Sequence, residues 1–421
     1  MSPAARIARR VLAAIATLTA AAGSARAEIP VPADWIEVGA TASTPAPVGP
    51  FAGLWARDAW SESRPAALAI MPGAGDAARV LHAYDADRWR PFPAGQHEAA
   101  GKIEDQRLTV TLSSSVSARY RLLPDGRLFG RMERQGTWRS LRYIILENIT
   151  GNGAARRAAL AETTARPWKM VELPITDPDT GTGIALTATY YPAVRSGRAP
   201  LLLMTHGDVT PGSERLVARH GELARLFVSR GWAVVEVMRR GTGGSGGKLL
   251  PEFRSDGPPT AAYGDRRMAA DIADIDAALA VVRGWPQIDA SSILLGGQSR
   301  GGLIALEYLA ARPAAVIGAV NFAGAGWCED VERASLQGRY TGDRLAAAGA
   351  RSRGPTWWFY AESDRCSSPP LVRGWFDAYR AAGGDTELLM VGGVPGDGHG
   401  LIHHPVFWEA RMLDILQRLQ R

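Results

Sequence analysis

The feature that most constrains the fold is the alternation of apolar and amphipathic segments between residues 201 and 419. Nearly continuous apolar strands that alternate with helices are typical of a parallel sheet covered on both faces. The predicted strands are LLLMTH (201–206), AVVEVM (233–238), SILLGGQ (292–298), AVIGAVNFAG (315–324), TWWFYAE (356–362) and TELLMVGG (386–393). The predicted helices are 222–230, 266–283, 303–311, 371–382 and 407–419. The sequence therefore predicts an α/β fold with a mostly parallel, doubly wound sheet, entered through an antiparallel hairpin of WKMVELPI and GIALTATYYP.

One turn of this sheet has the pattern of a reactive serine. The segment GGQSRGG holds Ser299 between Gly297 and Gly301, and it joins a predicted strand to a predicted helix. A serine on so tight a turn needs small flanking residues, because neighbouring chain segments come too close for side chains. A second Gly-x-Ser-x-Gly match, around Ser245, leads into KLLPEF, which contains a proline. We therefore predict Ser299 as the nucleophile, with the backbone N–H of Arg300 pointing at a developing oxyanion.

A serine nucleophile needs a histidine base and an acid that orients it, and both belong at other strand ends of the same sheet. Asp364 follows the strand TWWFYAE, and His399 lies between two glycines in the loop after TELLMVGG. The order Ser, Asp, His along the chain is the order found in nucleophile-elbow enzymes. The alternatives are Glu362 and Asp397 as the acid, and His403 and His404 as the base.

The loop after the first long parallel strand, HGDVTPG, supplies a second oxyanion donor, which we predict to be the backbone N–H of Asp208. We predict that His206 in this loop is a structural hydrogen-bonding residue. With these motifs, residues 168–421 resemble the α/β-hydrolase fold. The resemblance extends to its dienelactone hydrolase and prolyl-oligopeptidase-like branches, whose Arg-Gly-rich loop is similar to MRRGTGGSGG.

The resemblance implies hydrolysis through an acyl-enzyme. It assigns the triad to Ser299, Asp364 and His399, and the oxyanion hole to the N–H groups of Asp208 and Arg300. Many relatives have an aromatic or smaller residue where this chain has Arg300. Its charge either meets a substrate carboxylate or pairs with a nearby acid, and Arg239 and Arg240 are further candidates for substrate contact. We assign specificity to the loop 239–247 and to a short cap at 327–354.

Residues 51–150 have a different sequence pattern. Short runs of alternating or β-branched residues predict an antiparallel sheet or small barrel. The opening FAGLW resembles the Gly-x-Trp start of lipocalin-type barrels. Such a barrel either holds an apolar ligand or is filled by its own tryptophans. Those tryptophans are Trp55, Trp60, Trp89 and Trp138. The small, polar and irregular segment 151–167 is the predicted linker to the catalytic domain.

Residues 1–27 have the pattern of a secretion signal. Three arginines precede a 12-residue apolar run, and Ala25-Arg26-Ala27 fits a small-residue cleavage site. An uncleaved anchor is the alternative, although a run of 12 residues is short for a bilayer. Cleavage near Ala27 predicts a periplasmic or secreted protein without a stable membrane span, with an extended lead-in at 28–50.

Net charge excludes one class of partner. The chain carries +6, but residues 1–27 contain four arginines and no acid, so 6 − 4 = +2 remains after cleavage. We find no basic stripe interleaved with aromatic residues, so no nucleic-acid partner is predicted. No phosphate-binding glycine loop and no metal-ligand spacing occurs, so we predict neither a cofactor nor a metal.

The chain has two cysteines, Cys328 and Cys366, each of which follows a predicted strand. Neighbouring strands would place them on adjacent loops, and an oxidising compartment would allow them to pair. Such a disulfide would hold the loop that carries Asp364. Two unpaired thiols are the alternative.

These features predict an exported serine hydrolase that cleaves a carboxylic ester of a small molecule or short acyl substrate. A serine peptidase or amidase of the prolyl-oligopeptidase-like type is one alternative. The other is a non-catalytic protein whose β domain binds a ligand. The sequence makes no prediction of substrate identity or oligomeric state.

Overall fold

The computed structural model describes residues 29–37, 48–60, 63–87, 91–137, 139–163, 168–177, 179–209, 214–249, 260–326, 328 and 334–420, without the side chains of 334–337. The predicted signal sequence, Trp89 and Trp138 lie outside the described residues. The chain divides into two compact units, 1–104 with 146–165 and 105–145 with 166–421, each of which is described by itself. The predicted domain boundaries stay predictions.

Eight antiparallel strands form a closed barrel in chain order. They are β1 (Gly53–Trp60), β2 (Arg64–Pro72), β3 (Ala77–Tyr84), β4 (Gly95–Glu104), β5 (Arg107–Ser113), β6 (Val116–Leu122), β7 (Leu128–Arg134) and β8 (Ser140–Ile149). The first strand pairs with both the second and the last, as in the pairs Leu54–Ala69 and Leu54–Ile149. Strand β5 alternates buried and exposed residues, which is the period-2 pattern of a one-sided sheet. The predicted antiparallel barrel is confirmed.

Two short helices belong to the first unit, α1 (Ala33–Ile36) and α2 (Gly153–Ala161). Residues 33–36 of the predicted extended lead-in form one helical turn, and residues 153–161 of the predicted linker form a helix. The side chain of Asn152 caps α2 by accepting the N–H of Ala155 at 3.0 Å. Leu160 packs into an apolar cluster with Trp35. A cap and buried apolar side chains thus make this alanine-rich segment a helix.

The second unit contains an eight-stranded sheet. Its strands are β9 (Lys169–Thr176), β10 (Gly183–Tyr191), β11 (Ala199–Thr205), β12 (Ala233–Val237), β13 (Ile288–Gln298), β14 (Gly318–Phe322), β15 (Thr356–Ala361) and β16 (Thr386–Val391). Their order is β16-β15-β14-β13-β11-β12-β10-β9. Strands β9 and β10 form the predicted antiparallel hairpin, β10 and β12 are also antiparallel, and the remaining neighbours are parallel. The carboxyl ends of six parallel strands therefore meet at one edge.

Helices cover both faces of this sheet. They are α3 (Gly221–Val228), α4 (Ala261–Arg283), α5 (Arg300–Ala311), α6 (Ala334–Arg351), α7 (Pro369–Ala381) and α8 (Glu409–Leu419), with 3-10 turns at Gly398–His403 and Pro405–Phe407. Successive strand residues enter different apolar clusters: Leu203 packs with helices α4 to α7, and its neighbour Leu202 packs with α3 and α8. This is the predicted doubly wound α/β-hydrolase fold. Among the described residues, no helix has the length and apolarity that a membrane crossing requires.

Candidate active site

The turn between β13 and α5 carries Ser299 in a conformation that non-glycine residues rarely adopt, with φ 54° and ψ −126°. A Cβ on Gly297 would lie 2.1 Å from the carbonyl of Gly301, and a Cβ on Gly301 would lie 2.2 Å from the carbonyl oxygen of Thr205. Both contacts involve backbone atoms that cannot move aside. The two glycines are thus needed for space, and the predicted strand–turn–helix context is confirmed.

Ser299, His399 and Asp364 lie in hydrogen-bond contact. The Oγ of Ser299 is 2.8 Å from Nε2 of His399, and Nδ1 of His399 is 3.1 Å and 3.2 Å from the two carboxylate oxygens of Asp364. Ser299 follows β13, Asp364 follows β15, and His399 lies in the 3-10 turn after β16. The structure thus brings the three residues together from three strand ends that are far apart in sequence.

The hydrogen bonds around Asp364 determine how its partner histidine can act. Asp364 is buried, and its Oδ1 also accepts the backbone N–H groups of Cys366 and Ser367 at 2.8 and 3.0 Å. A carboxylate accepts, so Nδ1 of His399 donates to it. In the neutral ring, Nε2 is then the acceptor for the hydroxyl of Ser299. This arrangement prepares the serine for loss of its proton.

The alternative acids and bases occupy other positions. Asp397 accepts the backbone N–H groups of His399 and Arg365, and although partial burial opposes its charge, these bonds lower the pKa of Asp397. Glu362 is exposed. His403 is exposed and stacks on His220 with the ring centroids 5.7 Å apart. Asp397 thus holds the loop of His399, and none of these groups lies between Ser299 and the Asp364 carboxylate.

The two predicted oxyanion donors are both close to Ser299. Arg300 is the first residue of α5, where a backbone N–H has no acceptor within the helix. The loop after β11 approaches the serine so closely that a Cβ on Gly207 would lie 3.0 Å from the Cβ of Ser299. Asp208 follows directly in this loop. Asp208 thus follows a residue that contacts Ser299, and Arg300 follows Ser299 directly.

The side chains of Arg300, Arg239 and Arg240, which were candidates for substrate contact, are buried. They are only 1%, 4% and 4% exposed. Arg300 pairs with Asp271 at 3.0 Å, and Arg239 pairs with the same carboxylate at 3.1 Å. The partners of Arg240 are Asp177, Asp179 and Asp274. Of the two interpretations of Arg300, pairing with a nearby acid is the one the structure contains, because burial of a guanidinium requires a counter-charge.

The predicted disulfide between Cys328 and Cys366 is present, with the two Cα atoms 4.8 Å apart. The Sγ of Cys328 is 3.9 Å from Nε2 of His399. These three residues form the one group of potential metal ligands found in the described part of the chain. Sulfur atoms bonded to each other are not thiolates, which are the form that binds metals. The disulfide instead borders the histidine and joins the loop of Asp364 to the loop after β14.

Sequence reasoning missed Asp271 and Arg267, both on helix α4. Asp271 joins Arg239 to Arg300, and Arg267 forms an ion pair with Asp208. The signal for them was the Arg–Asp spacing of four on one helix face, a pattern that usually marks an exposed pair. The burial of Arg267 and the partial burial of Asp271 come from the packing of α4 and are not visible in the sequence.

Comparison with known proteins finds no match among protein-family models and none among curated proteins. Among solved structures, an esterase of Pyrococcus furiosus has a TM-score of 0.43 and 17% identity, over 60% of this chain and 93% of that chain. A dienelactone hydrolase-like promiscuous phosphotriesterase from metagenomic libraries has a TM-score of 0.41 and 18% identity, over 60% and 98%. Dipeptidyl peptidase 4 of Porphyromonas gingivalis has a TM-score of 0.45 and 14% identity, over 86% of this chain and 50% of that chain. The fold assignment rests on the strand order and serine turn described above.

Proposed function

We propose that this protein is an exported serine hydrolase that cleaves a carboxylic ester of a small molecule. The observation that carries the proposal is the continuous chain from Ser299 Oγ to His399 Nε2, 2.8 Å, and from His399 Nδ1 to Asp364, 3.1 Å. Nucleophile, base and orienting acid are the groups that acyl transfer requires. The disulfide and the signal-like N-terminus support export.

The geometry supports a two-step reaction. Ser299 Oγ attacks the ester carbonyl carbon while His399 Nε2 takes the hydroxyl proton, and Asp364 stabilises the imidazolium. The carbonyl oxygen becomes an oxyanion that accepts the N–H groups of Asp208 and Arg300. When the tetrahedral intermediate collapses, the C–O bond breaks and His399 returns the proton to the leaving alcohol. Water then attacks the acyl-enzyme by the same proton path, and the acid and free Ser299 are released.

The test is covalent labelling of the mature protein with a fluorophosphonate probe, together with turnover of a panel of p-nitrophenyl acyl esters and aminoacyl amides. We expect labelling at Ser299, ester turnover in the wild type, and loss of both in Ser299→Ala. Ser245→Ala is the matched control and should keep both. Amides cleaved faster than esters would favour the peptidase alternative. No labelling and no turnover would contradict the proposal and favour the ligand-binding alternative.

A further inference from the structure

A group of three buried arginines and two partly buried aspartates lies next to both predicted oxyanion donors. We call it the arginine–aspartate cluster, and its members are Asp208, Arg239, Arg267, Asp271 and Arg300. Its three arginines and two aspartates leave one net positive charge. None of these side chains is assigned a role in the proton path. Buried charges are costly unless they are paired, so this cluster needs a structural or functional reason.

Arg239 determines the direction of the first donor. Its guanidinium donates to the hydroxyl of Thr205 at 2.9 Å and to the carbonyl oxygens of His206 and Gly207, the latter at 2.9 Å. The C=O of Gly207 and the N–H of Asp208 belong to one trans peptide and point in opposite directions. Because Arg239 binds that C=O, the N–H of Asp208 must point away from Arg239.

A second contact holds the same peptide. Nδ1 of His206 lies 2.7 Å from the Gly207 carbonyl oxygen, and Nε2 accepts the backbone N–H of Arg239 at 3.2 Å. This requires the neutral ring with its proton on Nδ1, and burial lowers the pKa of His206 well below its usual value. The peptide between Gly207 and Asp208 is therefore held by two donors, and the predicted structural role of His206 is supported.

One carboxylate connects this loop to the second donor. Oδ1 of Asp271 is 3.1 Å from Nε of Arg239, and Oδ2 accepts Nε of Arg300 at 3.1 Å. Arg300 also donates from its side chain to the carbonyl oxygen of Gly326 at 3.0 Å. The backbone N–H of this same Arg300 is the second predicted donor. Asp271 thus contacts the arginine that binds the Gly207–Asp208 peptide and the side chain of the residue that carries the second predicted donor.

We infer that Asp271 is a positioning residue for the proposed hydrolysis: its two oxygens hold Arg239 and Arg300 and thereby set the directions of the N–H donors of Asp208 and Arg300. The inference rests on the proposed function. Burial opposes the charge of Asp271, but Arg239, Arg300 and Arg267 outweigh it and lower its pKa, so the carboxylate stays ionised. One turn earlier on α4, Arg267 pairs with the side chain of Asp208, which ties the same loop to the same helix.

The chain offers a matched control on the same helix. Asp274 is ion-paired like Asp271 and is more deeply buried, with 1% against 13% side-chain exposure. Its partner is Arg240, whose other partners are Asp177 and Asp179. Among the described residues, no hydrogen bond or ion pair joins Asp274 to the loop of Asp208 or to Arg300. Asp274→Asn therefore removes a buried ion pair without removing the connection between the donors.

The experiment compares Asp271→Asn with Asp274→Asn in the full-length protein. It measures kcat and KM for p-nitrophenyl acetate, the affinity for an alkyl trifluoromethyl ketone and the melting temperature. The ketone forms a tetrahedral serine adduct whose oxygen occupies the oxyanion hole. We expect Asp271→Asn to lower kcat by about 10- to 100-fold with KM nearly unchanged. Ketone affinity should fall by the same factor as kcat/KM. Asp274→Asn should stay within about threefold of wild type in kcat, with a similar loss of melting temperature.

Equal kcat in the two variants would overturn the inference. If Asp271 had only a structural role, its loss would change kcat no more than the loss of Asp274 does. If Asp271→Asn does not fold, Arg239→Lys replaces it, since lysine keeps the charge but lacks the planar fork that reaches Gly207. Wild-type kcat and ketone affinity in Arg239→Lys would also overturn the inference. A wild-type protein inactive toward esters would contradict the proposed function, whereas an active wild type with an unaffected Asp271→Asn would contradict only the positioning role.

Discussion

Two segments of this protein, 243–247 and 297–301, have the same Gly-x-Ser-x-Gly pattern and follow strands of the same sheet. Their serine hydroxyls have different hydrogen-bond partners. The hydroxyl of Ser245 donates to the carbonyl oxygen of Met238 at 2.7 Å and accepts the N–H of Thr187 at 2.8 Å. The hydroxyl of Ser299 lies against the ring of His399. The hydroxyl of Ser245 thus has only backbone partners among these hydrogen bonds, whereas the hydroxyl of Ser299 is bonded to an imidazole nitrogen.

The glycines differ as well. Around Ser245 the glycines take the unusual conformation, with φ 56° at Gly243, 93° at Gly244 and 81° at Gly247. At the other segment the serine itself has positive φ, and the flanking glycines supply space. In the segment of Ser245 the positive φ thus belongs to glycines, which adopt it readily. In the segment of Ser299, which we propose to be reactive, it belongs to the serine.

The largest expected difference is in turnover. Ser299→Ala should lower kcat by about 10⁶-fold, because the nucleophile is lost. Ser245→Ala should keep kcat within about tenfold of wild type and lower the free energy of unfolding by about 1–3 kcal/mol, since the N–H of Thr187 loses its acceptor. Initial rates with p-nitrophenyl esters and urea unfolding measure the two effects. Similar rates in the two variants would remove the distinction between the segments.

The next largest effect on kcat is expected from the hydrogen bond between His399 and Asp364. Asp364→Asn should lower kcat by about 10⁴-fold, because an amide in contact with Nδ1 of His399 favours the wrong tautomer. Glu362→Gln is the control, two residues away and exposed. Single-turnover acylation rates measure the effect. A loss of less than tenfold in Asp364→Asn would show that another group orients the base.

A smaller effect on kcat is expected when a flanking glycine is replaced by alanine, and it depends on the space around that glycine. In Gly301→Ala the new Cβ meets the carbonyl oxygen of Thr205 at 2.2 Å, so the turn must shift, and we expect kcat to fall by about 100-fold. In Gly246→Ala the nearest atom is a side-chain carbon of Ile184 at 3.1 Å, so the change in kcat should be within about threefold. Steady-state kinetics and melting temperatures distinguish the two. Equal kinetic losses would mean that both turns support catalysis.

The smallest effect on turnover is expected from the disulfide Cys328–Cys366, which lies beside His399 and thus near the segment of Ser299. Reduction of Cys328–Cys366 should lower the free energy of unfolding by about 2–4 kcal/mol. It should lower kcat only several-fold, because Asp364 keeps its backbone hydrogen bonds to Cys366 and Ser367. Unfolding and kinetics with and without a phosphine reductant measure both. The double variant Cys328→Ser/Cys366→Ser, if as stable as wild type, would contradict a stabilising role.

Much of the second unit was predictable because its signals are local. All six apolar segments that were predicted as strands of the parallel sheet are strands. A short apolar run that alternates with amphipathic helices rarely forms anything other than a buried strand. The helix α2 was missed because its many alanines give a weak apolar periodicity, although alanine favours a helix and Asn152 caps its start. Helix α6 was missed too, and it occupies most of the predicted short cap at 327–354. Its Leu345 and Ala348 join the apolar cluster of α4, α5 and α7.

The sequence by itself determined the alternation of strands and helices, the glycines that allow the serine turn, and the order of serine, acid and histidine. These depend on spacing along the chain, which is visible in one dimension. The tertiary structure alone decided the partners of Arg239 and Arg300, both of which pair with Asp271. The sequence had made Arg239 a candidate for substrate contact and had left open whether Arg300 meets a substrate or a nearby acid. The physical reason is that a charge is paired by whatever lies within about 4 Å in space. Helix α4 brings Asp271 that close to Arg239 and Arg300, which lie 32 and 29 residues from it along the chain.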